Sequence, residues 1–146
     1  MACITEYPDL FSAAVDEVGI VNFVSFLENT AAYRRDLRAT EYGPLADREF
    51  LTSISPINKA FLIRTPLLVI HGQNDPRVPI SEARQIIEAI SKHDGVVDSL
   101  IFPDEGHGIN KLNNRITAYR KMAEFFMKYL SAGHSNSEVK TQKPVI

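Results

Sequence analysis

The feature that most constrains this chain is the run Leu67-Leu68-Val69-Ile70, entered through Pro66 and left through His71-Gly72. A continuous apolar run bounded by turn residues is the signature of a strand buried on both faces. Such a strand needs a layer above and a layer below, and the flanking sequence offers them. Residues 81–92 read as a helix, with Ala83, Ile86, Ile87 and Ile90 on one apolar stripe. Ser81 is its expected N-cap, Lys92 and His93 suit the negative end of its dipole, and Gly95 stops it. A second strand is expected from Val96 to Phe102, ending at Pro103. The last helix is expected at 114–130, with Ile116, Tyr119, Ala123, Phe126, Met127 and Leu130 on one side. Upstream, Tyr7-Pro8-Asp9 makes a turn, and a strand begins at Ala13-Ala14-Val15 and reaches Val18 and Ile20-Val21. Residues 22–50 hold scattered aromatics and charges and read as short helices and loops, broken at Gly43-Pro44.

Strand, helix, strand, helix in this order implies an α/β fold with a parallel sheet and right-handed crossovers. Functional loops in such sheets lie beyond the carboxyl ends of the strands. Two loops qualify, 71–80 and 103–110, and both are rich in titratable groups. Asp75 sits five residues past Ile70, and His107 sits five residues past Phe102. Neighbouring strands lie about 4.8 Å apart, so loops leaving the same edge can bring these two side chains into hydrogen-bond reach. An Asp on one imidazole nitrogen fixes the tautomer, and the other nitrogen can then take a proton from a nucleophile. Glycines on both sides of His107 let the ring project into a cleft. The order acid, then histidine, is that of α/β-hydrolases, in which the serine comes first.

The remaining composition narrows the function by exclusion. The chain has 146 residues, enough for one domain at most, with 16 basic against 18 acidic residues and a net charge of -2. That balance gives no electrostatic reason to expect nucleic acid or a membrane surface as partner. Cys3 is the sole cysteine, so no internal disulfide can form and no cysteine-based metal site exists; a soluble, cytoplasmic protein is expected. No apolar run approaches the roughly 18 residues of a membrane span. Residues 1–131 read as the domain and 132–146 as a disordered tail, polar and aperiodic.

The segment Thr65-Pro66-Leu67-Leu68-Val69-Ile70-His71-Gly72-Gln73-Asn74-Asp75-Pro76-Arg77-Val78-Pro79 resembles the acid-bearing segment of the prolyl oligopeptidase family of serine peptidases. Phe102-Pro103-Asp104-Glu105-Gly106-His107-Gly108 resembles its histidine segment, and Tyr7 to Val15 resembles the strand after its nucleophile helix. The similarity covers about residues 1 to 130, and the acylaminoacyl-peptidase and dipeptidyl-peptidase-like branch matches best. The resemblance implies the C-terminal half of an α/β-hydrolase catalytic domain, with Asp75 and His107 as two members of a triad acting on peptides. Residues Asn22 to Gly43 resemble the variable segment that helps wall the substrate pocket. Within it Phe23, Phe26 and Tyr33 are candidate pocket residues, with ordinary packing an equal alternative. No cofactor is implied. Esterases share the fold, so an ester substrate is the alternative reading.

The chain departs from the family at the nucleophile. No Gly-x-Ser-x-Gly turn occurs in it, and the family's serine would lie just upstream of Met1. The oxyanion hole, built on the residue after the nucleophile and an earlier loop, is then missing too. The expectation is a fragment with little or no hydrolysis of its own, whose open edge suits a homo-oligomer or a complementing N-terminal half. Cys3 could in principle pair with His107, but is expected to face the core of the broken nucleophile helix. Asp16 is the runner-up acid. Glu105 is too close in sequence to reach the far nitrogen of His107. His71 reads as a packed residue at a strand end, and a metal held by His71, Asp75 and His107 has no motif behind it. His93 and His134 read as solvent-exposed.

Overall fold

In the computed structural model residues 1–131 are described; the expected tail at 132–146, with His134, lies outside the described residues. The elements are α1 (Ala2–Glu6), β1 (Ala14–Glu17), α2 (Phe23–Asn29), α3 (Ala32–Tyr42), α4 (Arg48–Ile54), a 3-10 segment (Pro56–Leu62), β2 (Leu67–Gly72), α5 (Ile80–Lys92), β3 (Val97–Phe102) and α6 (Leu112–Ser131). The strands form one parallel sheet of three in the order β1-β2-β3. β2 is central, and all six of its residues are buried, which is why its sequence shows no polar alternation. Its register sets Leu67 against Val97 and Gly72 against Phe102, so β2 and β3 end level.

Each face of the sheet has its own layer. Leu67 and Val69 pack with Ile4 of α1, Ala60 and Ile63, and with Ala83, Ile86 and Ile90 of α5. Leu68 and Ile70 face the other way, onto Phe102 and onto Ala118 and Phe125 of α6. The α5 stripe is the one its 3.6-residue period requires, and each fully buried isoleucine contributes about 1.5–3 kcal/mol of transfer free energy. A third cluster, Phe26, Leu27, Leu51 and Val78, ties α2 and α4 to the loop after β2.

Several expectations need correction. β1 stops at Glu17, because Val18 takes a left-handed backbone at φ 53°, which ends an extended ladder. Ile20 and Val21 therefore lead into α2 instead of extending the strand. α5 begins at Ile80 after Pro79, so Ser81 lies inside the helix; its hydroxyl is buried with no hydrogen-bond partner among the described residues. After α5 the left-handed residue is Asp94 at φ 56°, while Gly95 is needed for proximity: a Cβ there would lie 2.5 Å from Ile90 Cγ2. α6 buries Ala118 and Phe125, with Met122 and Tyr129 packed beside them. Of the stripe read from sequence, Ile116, Tyr119, Met127 and Leu130 are exposed. This helix has apolar residues on more than one face, and its period alone does not say which one meets the sheet.

The two faces of α6 should respond differently to truncation. Phe125→Ala should cost about 3–5 kcal/mol of unfolding free energy, whereas Ile116→Ala should stay within about 0.5 kcal/mol. Urea titration followed by circular dichroism measures both, and equal losses would contradict the packing of α6.

Candidate active site

The site begins with the level ends of β2 and β3. Beyond Gly72 the chain turns back, with Asp75 N–H donating to Gly72 O at 3.3 Å. Asp75 Oδ1 then accepts from the backbone of Arg77 at 2.7 Å and Val78 at 3.0 Å. This side-chain turn is why an Asp is placed there: its short carboxylate caps two N–H groups that the strand no longer satisfies. The second carboxylate oxygen, Oδ2, is left for the neighbouring loop. β2 runs two residues beyond Ile70, so Asp75 sits three residues past the strand and His107 five.

The histidine loop is bound to the acid loop along its backbone. Gln73 N–H donates to Phe102 O at 2.8 Å, Asn74 N–H to Glu105 O at 3.0 Å, and the Asn74 amide to Pro103 O at 2.7 Å. The approach is close enough to exclude any side chain at position 72: a Cβ on Gly72 would lie 2.1 Å from Gly106 O. His107 Nδ1 thereby comes 2.8 Å from Asp75 Oδ2. The Asp75 side chain is fully buried, and that of His107 is 28% exposed. With Nδ1 committed to the acid, Nε2 is the nitrogen left for an incoming proton.

Glu105 does not bond to His107. It accepts from the backbone of Asn110 at 3.2 Å and Lys111 at 2.9 Å, and from the Asn114 amide at 2.9 Å, and so fixes the histidine loop to the start of α6. Burial works against its ionisation, but the hydrogen bonds from Asn114, Lys111 and Asn110 outweigh it and hold the carboxyl below its ordinary range. Asp16, half-buried at the end of β1, is pushed the other way by burial, against the pull of a bond from the Gly19 amide. The acid bonded to His107 is Asp75, not Asp16.

The pocket candidates separate. Phe26 is wholly buried, with an edge-on contact to Tyr42 at 6.0 Å between ring centres. Phe23 is partly buried and makes a tilted contact with the same Tyr42 at 5.0 Å. Tyr33 is 76% exposed on α3. Cys3 is exposed, contrary to the expectation that it faces the core. His93 is exposed. His71 is fully buried. Among the described residues no group of three or more His, Cys, Asp or Glu is arranged to hold a metal ion, and no helix is long and apolar enough to cross a membrane.

Sequence reasoning passed over Glu82, which is completely buried in the first turn of α5. Its carboxylate accepts from the backbone of Val21 at 3.1 Å and Asn22 at 2.8 Å and from the Ser25 hydroxyl at 2.6 Å, clasping α2 to α5. The one sign in the sequence was its place next to Ala83, at the margin of the buried stripe.

A parallel sheet with helices on both faces and an acid–histidine pair at its carboxyl edge defines part of an α/β-hydrolase. Residues 1–133 match the prolyl oligopeptidase family. The chain is 32% identical over 137 residues to dipeptidyl peptidase family member 6 of Caenorhabditis elegans, which covers 89% of this chain and 18% of that protein. It is 33% identical over 138 residues to dipeptidyl aminopeptidase BIII of Pseudoxanthomonas mexicana, covering 90% of this chain and 20% of that one. A puromycin-hydrolyzing peptidase of Mycobacterium tuberculosis superposes with a TM-score of 0.82 at 26% identity, covering 88% of this chain and 20% of that structure. This chain belongs to the prolyl oligopeptidase family of serine peptidases, and it spans about a fifth of the length of the curated relatives it matches.

Two measurements test this geometry. Gly72→Ala should cost about 1–3 kcal/mol, since a methyl group has to push the two loops apart, and should also weaken the Asp75–His107 bond seen in the imidazole proton spectrum. The Glu105 carboxyl is lower in the folded than in the unfolded state. Its contribution to stability is therefore present above the unfolded value and is lost as pH falls through the folded value. Glu105→Gln should accordingly lower stability at neutral pH and flatten the acid limb of a stability-against-pH curve; an unchanged limb would contradict the assignment.

Proposed function

We propose that these residues supply the acid and the histidine of a serine peptidase active site. The observation that carries this reading is the 2.8 Å contact between Asp75 Oδ2 and His107 Nδ1 at the carboxyl edge of the sheet. Asp75, held by two backbone N–H groups on its other oxygen, keeps the ring in the Nδ1–H tautomer. His107 Nε2 then takes the proton from a serine hydroxyl as the oxygen attacks the substrate carbonyl, and returns it to the leaving amine. Once protonated, the ring is an imidazolium stabilised by the buried carboxylate.

The serine belongs on a Gly-x-Ser-x-Gly turn, which these 146 residues do not contain. The chain alone therefore provides the proton-transfer half of the chemistry, and the nucleophile and oxyanion donors come from a segment outside it. Among the described residues β1 is paired only with β2, and Tyr7 and Leu10, which precede it in sequence, are exposed, so an adjoining segment of the same domain has a strand edge to join. Peptides are the proposed substrates because the similar proteins are named a dipeptidyl peptidase, a dipeptidyl aminopeptidase and a puromycin-hydrolyzing peptidase. An ester is the alternative on the same machinery.

The 146-residue chain alone should not react with a fluorophosphonate probe. In a protein where these residues follow a Gly-x-Ser-x-Gly segment, the probe should label that serine. There Asp75→Asn should lower kcat about 10⁴-fold by admitting the wrong tautomer, and aminoacyl-naphthylamides should be turned over in preference to nitrophenyl esters. Labelling of the isolated chain, or full activity after His107→Ala, would overturn the proposal.

A further inference from the structure

Behind the acid lies a second histidine to which the peptidase reading gives no task. His71 is in the central strand β2, and its ring is completely enclosed. Its Nε2 lies 2.9 Å from the Val78 carbonyl and 3.6 Å from Asp75 Oδ2. A carbonyl can only accept, so Nε2 carries the proton. Nδ1 is buried and has no hydrogen-bond partner among the described residues. An interior imidazole satisfied on one side only leaves an unpaired polar atom that a phenylalanine of similar size would not. Packing alone is therefore a poor account of this ring.

The partner of Nε2 supplies a better one. Val78 closes the turn that Asp75 opens: its N–H donates to Asp75 Oδ1 at 3.0 Å while its carbonyl accepts from His71. The outer side of the turn has a weaker tie, from the Thr30 hydroxyl to Arg77 O at 3.4 Å. His71 thus anchors the far end of the turn to the most buried strand, while the near end carries the acid. The charged groups around the ring are few. Asp75 comes from the acid loop. Asp16 comes from β1, on the sheet face it shares with Val69 and His71. Glu82 of α5 is already engaged by Val21, Asn22 and Ser25.

We propose that His71 is a positioning residue for the acid: as an Nε2–H donor to the Val78 carbonyl, it holds the 75–78 turn so that Asp75 Oδ2 stays aimed at His107 Nδ1. It acts through Asp75 and touches no substrate. Its functional meaning rests on the peptidase reading above, but its geometry can be tested without catalysis.

The test is nuclear magnetic resonance of the full 146-residue chain with nitrogen-15 histidine. His71 should report a proton on Nε2, and His107 should show a far-downfield Nδ1 proton protected by its carboxylate. In His71→Phe that proton should exchange about tenfold faster or be lost. His71→Gln places an amide donor at similar reach and should restore it. A His71 ring protonated on Nδ1 in the unsubstituted chain would overturn the proposal, even if the phenylalanine variant fails to fold. So would an unchanged His107 signal in folded His71→Phe, or a glutamine variant as impaired as the phenylalanine one. Absence of the His107 signal from the unsubstituted chain would overturn the acid–histidine pair itself, and this inference with it. An intact pair indifferent to position 71 overturns the inference alone.

Discussion

The structure depends on how closely two backbone segments approach beyond the ends of β2 and β3. The register that sets Gly72 against Phe102 releases both chains from the sheet at the same height. From there, Gln73 and Asn74 donate to carbonyls of the opposite loop, and Gly72 lies against Gly106 with no room for a Cβ. Hydrogen-bond distance between Asp75 and His107 follows from this contact. Short side chains on two independent loops can meet in many ways; two loops locked backbone to backbone leave far fewer.

Three buried carboxylates serve the same architecture by a common device. Asp75 takes the N–H groups of Arg77 and Val78, Glu105 those of Asn110 and Lys111, and Glu82 those of Val21 and Asn22. Each satisfies donors at a turn or at the start of a helix, where the backbone has no internal acceptor. Burying an unpaired carboxylate would be costly, and two or more N–H donors offset that cost. Glu82 and Glu105 also take side-chain donors, from Ser25 and from Asn114, and neither bonds to His107. Asp75 is a cap with an oxygen to spare, and that spare oxygen is what reaches the histidine.

How much of this was legible depended on whether a signal was local. β2 was legible because an uninterrupted apolar run has one structural meaning when turn residues bound it. The α5 stripe was legible because its isoleucines repeat on one side and charges fill the other. Asp75 and His107 were legible as loop residues after strands, and their meeting followed from strand adjacency. The buried face of α6 was not, since Ile116, Tyr119, Met127 and Leu130 offer a stripe as apolar as the one that packs. The early end of β1 at Val18 was hidden as well: valine is a strong strand former, and only its surroundings hold it at positive φ. Cys3 and Ser81 failed in opposite senses, one outside where a buried residue was expected and the other inside where a cap was expected. In each case tertiary contacts decided what a single residue type could not.

Among the described residues, the hydrogen bonds to Asp75 come from residues 72 to 107, His71 holds the far end of its turn through Val78, and Glu105 fastens the histidine loop through residues 110 to 114. In the proposed peptidase, a pair fixed this way would be organised before the nucleophile arrives, and organisation in advance is where electrostatic catalysis gains most. Under the proposed function, a serine-bearing segment would have one geometric requirement, to place its hydroxyl beside Nε2 at the carboxyl edge. A parallel sheet meets that requirement by adding a strand at the free edge of β1, because every strand of such a sheet delivers its following loop to the same rim.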